Sequence, residues 1–214
     1  DVYLQQKGFS ILREVAAIGY SNPDYENDQV KDSPYKKMLA ALWRENPLQR
    51  LKPRQKIITM ASLLHMDAQG DALVCELIAS SGKTPDTWLA QYFDAYLTPL
   101  LHCFYQHRLV FMPHGENLIL IMEQNTPVAV LMKDIGEEIC LLNSSQDLPE
   151  NVQRIAIDMP EELETLSFFT DVFDNFFRYL AHILHEHAQY SQDDFWQLVA
   201  QCIIQYQQDQ PELT

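Results

Sequence analysis

The chain has 214 residues, and 47% of them are hydrophobic, which is enough for one sizeable core. Thirty acidic against fifteen basic side chains give a formal charge of -15, so we expect neither a nucleic acid nor an anionic membrane as a partner. We find no signal peptide and no apolar run of the roughly twenty residues that a membrane span needs, and we expect a cytoplasmic protein.

The four cysteines are far apart in the sequence and form no C-x-x-C pair; they are Cys75, Cys103, Cys140 and Cys202. This spacing indicates neither a zinc ribbon nor an iron–sulfur centre. We expect reduced and mostly buried thiols, as is usual in the cytoplasm.

Apolar residues at helical spacing predict that the first part of the chain, residues 1–108, is mainly helical. One helix is predicted over 35–46, because Asn46-Pro47 is a typical stop. Further helical stripes run through 57–64 and 73–78.

A long helix is predicted from Thr84-Pro85 to Phe104, since the threonine can cap it and proline suits the first turn. Pro99 is expected to kink this helix. It contributes many of the large apolar side chains of the predicted core.

After Arg108 the pattern changes to apolar runs of strand length at 118–122, 128–132 and 139–142. We predict three short antiparallel strands from these runs. A further short strand is an option at 155–157.

Two more helices are predicted over 166–183 and 195–206. The predicted fold class is therefore α+β: mostly helical, with a small antiparallel sheet (a hairpin plus one or two further strands) flanked by N- and C-terminal helices. We expect one unit over 1–214, in which a sheet region at 109–143 lies between helical regions at 1–108 and 160–208.

Polar residues cluster where the first hairpin strand begins and where the second ends, and an antiparallel hairpin brings these two ends together. The two segments are Met112-Pro113-His114-Gly115-Glu116-Asn117 and Lys133-Asp134-Ile135-Gly136-Glu137-Glu138.

We interpret these segments as a candidate nucleotide and metal site. His114 and Lys133 can donate to phosphate, and Asp134 with a carboxylate or amide partner can bind magnesium. Gly115 would allow a ligand to approach the backbone closely. On spacing alone, the alternative of a plain turn beside a solvated strand end stays open.

The same segments resemble the NRPS-independent siderophore synthetases. Further support comes from Tyr96-Leu97-x-Pro99-Leu100-Leu101 and from Phe168-Phe169-Thr170-Asp171-Val172-Phe173. The resemblance spans nearly the whole chain and is strongest to the branch that oligomerises or cyclises N-hydroxy-N-succinyl diamines, such as the bisucaberin, putrebactin, alcaligin and desferrioxamine synthetases. It implies a ligase that uses ATP and Mg²⁺ to adenylate a carboxylate and then joins it to an amine.

The resemblance also implies roles for individual residues. The ATP-binding set is His114, Glu116, Asn117 and Lys133, and the metal-binding set is Asp134, Asn117 and Glu138. The catalytic residue is not identified, with Glu116 and Lys133 as candidates. Lys133 stands where many relatives have arginine, and Glu116 replaces the glutamine of citrate-using members.

Other phosphate-binding segments of that family, one Thr-Ser-Ser-x-Arg-Thr-like and one rich in histidine, do not occur in this sequence. The resemblance therefore implies the C-terminal, palm/thumb-like portion of a longer synthetase, with the missing N-terminal half as its partner. We expect this portion alone to be inactive or nearly so. A hydroxamate-diamine substrate and a homodimer are implied as well.

Two other functional classes stay open, a ferric-siderophore reductase-like protein and a small-molecule kinase-like protein. Such reductases carry a C-terminal cysteine cluster, whereas only Cys202 follows Cys140 in this sequence. In the kinases the asparagine lies further after the histidine than Asn117 lies after His114.

Three weaker signals have plainer explanations. Ser80-Ser81-Gly82-Lys83-Thr84 ends like a P-loop, but the first glycine would fall at Leu77, and we favour a helix C-cap at Gly82. The set His182, His185 and Glu186 suggests a metal, but histidines are also favourable near a helix C-terminus. Arg44 could contact substrate, although a surface ion pair on a helix is the favoured interpretation.

Overall fold

The computed structural model describes residues 1–20, 39–136 and 138–214. Its α-helices are α1 (Val2–Gln6), α2 (Leu73–Ser81), α3 (Pro85–His107), α4 (Arg178–Ala188) and α5 (Gln192–Asp209), and a π-helix at Phe168–Phe177 leads into α4. Its strands are β1 (Ser10–Ile11), β2 (Glu14–Gly19), β3 (Ala40–Arg44), β4 (Lys56–Thr59), β5 (Leu109–Phe111), β6 (Leu118–Glu123), β7 (Thr126–Met132), β8 (Ile139–Leu142) and β9 (Ala156–Ile157). The predicted α+β class is confirmed. Within the described ranges no helix combines the length and apolar character that crossing a membrane requires.

The central sheet has the strand order β1-β7-β6-β4 and is built on the β6–β7 hairpin. A two-residue turn joins the hairpin strands, and both of its residues, Gln124 and Asn125, have positive φ (49° and 60°). Positive φ at both positions is the geometry that matches the twist of paired strands. The turn is held against α3, because the Trp88 indole donates to the Asn125 carbonyl over 2.8 Å.

Helix α3 packs against this sheet and against α5. Thr84 caps it, accepting from the Thr87 N–H over 3.3 Å, and Pro85 occupies the first turn, as the sequence predicts. The helix continues through the buried Pro99 and ends at Arg108, whose φ is positive. The kink expected at Pro99 stays a prediction.

Aromatic rings fill the core between α3, the π-helix and α5. The Phe177 ring lies 5.2 Å from that of Phe93, 5.8 Å from that of Tyr96 and 5.7 Å from that of Phe195, between centroids. All four side chains are fully buried. Burying an aromatic side chain of this size contributes roughly 1.5–3 kcal/mol, so these contacts fix the π-helix firmly against α3.

The N-terminal region contains strands where we predicted helices. The helix expected over 35–46 is wrong at 40–44, which forms strand β3, and its beginning at 35–38 lies outside the described residues. The stripe at 57–64 is divided between strand β4 and a 3₁₀-helix at Met60–Leu64. In both cases pairing with a distant strand outweighs local helical spacing: β3 pairs with β2, and β4 pairs with β6.

The third predicted strand exists but belongs to another sheet. Strand β8 pairs antiparallel with β5 and parallel with β9, so it does not extend the hairpin. Strand β9 confirms the short strand considered near 155–157. The predicted helix over 166–183 is helical, but Phe168–Phe177 has π geometry.

Candidate active site

Two hydrogen bonds and one close backbone approach fix the loop between β5 and β6, which contains His114, Glu116 and Asn117 of the predicted nucleotide-binding set. The buried Tyr96 hydroxyl donates to the Pro113 carbonyl over 2.8 Å. The Ala61 N–H donates to the Gly115 carbonyl over 2.9 Å. A Cβ on Gly115 would lie 2.8 Å from the Phe176 ring and 2.9 Å from the Ala61 backbone, so the close approach that requires this glycine is to Ala61 and Phe176.

Asn117 is the centre of the first polar group, and it is only 4% exposed. Its side-chain Nδ2 donates to the Glu138 carboxylate and lies 3.2 Å from His114 Nε2. His114 Nε2 is 3.8 Å from Glu138 Oε2. Three of the predicted site residues therefore form one cluster: His114 and Asn117 from the loop, and Glu138 from just before β8.

A second polar group lies beside the first and contains Lys133, Asp134 and Arg44. Lys133 Nζ is 2.6 Å from Asp134 Oδ2, and the guanidinium of Arg44 pairs with the other oxygen of Asp134. Arg44 extends from the end of β3 and also lies 3.4 Å from Glu14. Asp134 has a positive φ of 57°, which turns the chain as it leaves β7.

The hairpin joins the two groups. Strand register places Leu118 opposite Met132, and the Lys133 N–H donates to the Asn117 carbonyl over 2.9 Å. Asn117 and Lys133 are thus neighbours at one end of the hairpin, as the antiparallel geometry predicts.

Glu116 stands apart from both groups, and Asp134 is in the second group, away from its predicted metal-binding partners. Glu116 is exposed, and its side chain forms no hydrogen bond or ion pair with the described residues. Asp134 is separate from Asn117 and Glu138, because both of its oxygens face cations. The predicted magnesium set is therefore divided between the two groups.

Sequence reasoning did not single out Asp171, a half-buried carboxylate of the π-helix. Burial raises the pKa of Asp171; the nearby His114 opposes this rise and Glu138 adds to it. π-Helical turns are frequent at functional sites, because the extra residue redirects side chains. The signal was available in Phe168-Phe169-Thr170-Asp171-Val172-Phe173, which we used only for resemblance.

Arg44 has a different position from the one we expected. It lies on a strand, and its pairing with Asp134 brings it into the candidate site. Its Nε atom is buried and has no hydrogen-bond partner among the described residues. A buried unsatisfied donor of this kind is costly unless a ligand or water completes it.

The two other sequence signals have the structural roles that we favoured. Gly82 ends helix α2 with a φ of 70°, and Thr84 then caps α3, so the P-loop-like segment joins two helices. His185 lies near the end of α4, with its Nδ1 3.3 Å from the Tyr190 carbonyl.

Residues 86–214 match the family described as ferric iron reductase FhuF-like transporter, and residues 1–65 match the IucA / IucC family. Putrebactin synthase of Shewanella sp. (strain MR-4) is 50% identical over 213 residues, which are 100% of this chain and 34% of that protein. Aerobactin synthase of Escherichia coli is 28% identical over 100% of this chain and 37% of that protein.

Solved structures agree with these matches. Aerobactin synthetase IucC from a hypervirulent pathotype of Klebsiella pneumoniae superposes with a TM-score of 0.86 at 29% identity, over 100% of this chain and 38% of that one. The petrobactin biosynthesis protein AsbB from Bacillus anthracis has the same fold, with a TM-score of 0.85 at 17% identity, over 100% of this chain and 37% of that one.

The chain spans about a third of the length of the curated relatives it matches. Its first 65 residues match the IucA / IucC family, and over its whole length it is similar to synthetases such as putrebactin synthase. The match over residues 86–214 covers more than half of the chain, so the chain belongs to the family described as ferric iron reductase FhuF-like transporter.

Proposed function

We propose that this chain provides one side of the nucleotide site of a cytoplasmic, ATP-dependent siderophore synthetase. The enzyme adenylates the succinyl carboxylate of an N-hydroxy-N-succinyl diamine and condenses it with an amine to form an amide. The observation that carries the proposal is 50% identity to putrebactin synthase over the whole chain, including the hairpin site.

The residue types at the hairpin end suit a triphosphate. Lys133 and Arg44 bring two basic side chains to the site, and His114 adds a ring nitrogen donor. In the structure both basic side chains are paired with Asp134. When ATP binds, a phosphate oxygen replaces Asp134 as the partner of one of them. A relative, the aerobactin synthetase IucA, has been solved in an ATP-bound form and shares this fold, with a TM-score of 0.77 at 18% identity over 97% of this chain and 38% of that one.

Magnesium fits the site only in part. Glu138 and Asn117 are neighbours that carry oxygens of the kind that Mg²⁺ binds, but it is the amide Nδ2 of Asn117 that faces Glu138. Asp134 is already paired with cations. We assign Asn117 and Glu138 as the ligand pair, with Asp134 joining when Lys133 moves to phosphate. When bound, the ion would neutralise phosphate charge.

The proposed chemistry needs two things from the chain. Negative charge grows on the phosphoryl oxygens during adenylation. This charge is stabilised by the side chains of Lys133, Arg44 and His114. The attacking amine must then lose a proton, and Asp171 suits this step because its raised pKa makes it a better base than an ordinary aspartate.

The other part of the nucleotide site has to come from elsewhere in the synthetase. Strands β2 and β3 form a two-stranded ribbon with exposed apolar side chains, including Ile18, Leu42 and Trp43. An isolated two-stranded sheet is marginally stable, and an exposed apolar patch usually marks an interface. We propose that the ribbon packs against the other two thirds of the synthetase and that the whole enzyme is a homodimer, which light scattering on the full-length enzyme checks.

The FhuF-like description raises ferric reduction as a second candidate. Metal-binding cysteines act as thiolates, and burial raises the pKa of Cys103 to about 12 and also raises that of Cys202. These environments favour structural thiols, so we rank reduction below ligation.

Product analysis separates the candidate functions. The full-length synthetase, given ATP, magnesium and the hydroxamate substrate, should release AMP and pyrophosphate together with an amide product. Formation of ADP would instead indicate phosphoryl transfer, and electron transfer to a ferric siderophore without ATP would indicate a reductase. Either of these outcomes would overturn the proposal.

A further inference from the structure

A second cluster of ligand-type side chains joins helix α1 to the C-terminal end of α3, outside the hairpin site. It consists of Asp1, His102 and His107. Asp1 Oδ2 lies 3.0 Å from His102 Nε2 and 2.8 Å from His107 Nε2. The three ligand atoms all lie within 4.8 Å of one another.

The two carboxylate oxygens of Asp1 contact different groups. Oδ1 caps helix α1, accepting from the Tyr3 N–H over 2.7 Å and from the Leu4 N–H over 3.2 Å. Oδ2 is thereby directed at the two imidazoles. The carboxylate is held in place before any ligand arrives, so little conformational entropy is lost on binding.

His102 has the surroundings of a metal-binding histidine. It is 4% exposed, its ring stacks on Tyr3 at 4.2 Å between centroids, and its Nδ1 lies 3.0 Å from the Tyr206 hydroxyl. Ligating histidines commonly use the second ring nitrogen in this way, which fixes the ring and its tautomer.

His107 is the member of the cluster through which a metal ion can enter from solvent. Its side chain is 41% exposed, whereas that of His102 is 5% exposed. A cation can therefore reach the cluster from solvent, and the formal charge of -15 favours its approach.

We propose that Asp1, His102 and His107 form a zinc site whose fourth position is open to water. Two imidazoles and one carboxylate are a common three-residue ligand set for zinc, with bonds of about 2.0–2.2 Å. Zinc bound there fastens α1 to the end of α3. This proposal does not depend on the proposed ligase function, because neither α1 nor His107 belongs to the hairpin site.

Zinc titration of the metal-stripped 214-residue chain tests the proposal, with Co²⁺ as a spectroscopic probe. We expect one tight zinc per chain, a tetrahedral Co²⁺ spectrum, and a melting temperature that rises with zinc concentration. His107→Gln and Asp1→Asn should each weaken binding about tenfold or more, and Tyr206→Phe should weaken it without changing the stoichiometry.

His185→Gln is the matched control, since this histidine is also near a helix end but outside the cluster. Circular dichroism confirms that each variant is folded; His107 is exposed enough for its replacement to be tolerated. The proposal fails if zinc does not bind stoichiometrically, if His107→Gln binds zinc like the parent chain, or if His185→Gln loses binding to the same extent.

Discussion

Gly115 is the residue at which packing most tightly constrains the hairpin site. A methyl group there would lie within 2.9 Å of the Ala61 backbone and 2.8 Å of the Phe176 ring. We therefore expect Gly115→Ala to lower the free energy of unfolding by about 1–3 kcal/mol, as overpacking usually does.

Urea unfolding of the purified chain measures this change. Gly136→Ala is the matched control, because a Cβ at Gly136 would meet nothing within 4 Å. Equal stability of the two variants would show that the β5–β6 loop can move away from Ala61, contrary to our account of how His114 is positioned.

The raised pKa of Asp171 predicts that the stability of the chain depends on pH through this residue. This pKa is raised by burial, so the folded state loses stability as the pH rises from the ordinary aspartate value, and the full loss is reached above the raised value. We expect Asp171→Asn to be more stable than the parent chain at neutral pH. The difference should shrink as the pH falls and vanish near about pH 4, the ordinary aspartate value.

Thermal unfolding across this pH range measures the difference. Asp174→Asn, an exposed aspartate of the same π-helix, should show little change at any pH. A variant of Asp171 that is less stable than the parent at neutral pH would contradict the assigned environment. In the full-length synthetase the same variant should lose amide formation while gaining stability, as is common for functional residues.

At the scale of elements, helix α3 positions the loop of the candidate site through Tyr96. Tyr96→Phe removes the buried hydroxyl that donates to the Pro113 carbonyl and should cost about 1 kcal/mol in unfolding free energy. Tyr92→Phe is the matched control one turn earlier, since among the residues that the structure describes its hydroxyl bonds only to the Met60 sulfur, a weak acceptor. Denaturant titration compares them, and a larger loss for Tyr92→Phe would contradict this account.

Local signals were sufficient to predict the hairpin and helix α3. The apolar runs of β6 and β7 flank a tight turn, and Thr84-Pro85 is a capped helix start, so their information lies within a few residues. The convergence of Asn117 and Lys133 then followed from antiparallel pairing alone.

The remaining features depend on contacts between distant residues. Strand β3 forms because it pairs with β2, so no pattern within 40–44 predicts it. Arg44 reaches Asp134 only through that pairing, and Asp171 lies near His114 only because the π-helix packs beside the loop. Local patterns therefore could not place these two residues in the candidate site, although the sequence analysis had named Arg44 and the segment that contains Asp171.

At the scale of the whole molecule, the β2–β3 ribbon predicts different behaviour for this chain and for the full-length synthetase. Leu42→Asp should change the stability of the 214-residue chain by less than about 0.5 kcal/mol, because the side chain is exposed. In the full-length synthetase the same change should destabilise the enzyme, since it places a charge in a buried interface.

Val128→Asp is the control for this experiment, as an exposed apolar residue outside the ribbon. Thermal unfolding of both proteins provides the comparison. An equal effect of Leu42→Asp in the chain and in the full-length enzyme would mean that the ribbon does not contact the rest of the synthetase.

The central claim is that the hairpin end binds the phosphates of ATP during adenylation. The most direct measurement is exchange of labelled pyrophosphate into ATP by the full-length synthetase, driven by a substrate analogue that keeps the succinyl carboxylate but lacks the free amine. Lys133→Met should lower the exchange rate by roughly 100-fold or more, whereas Lys56→Met, an exposed lysine of β4, should leave it unchanged. Exchange by Lys133→Met at the parent rate would contradict the claim.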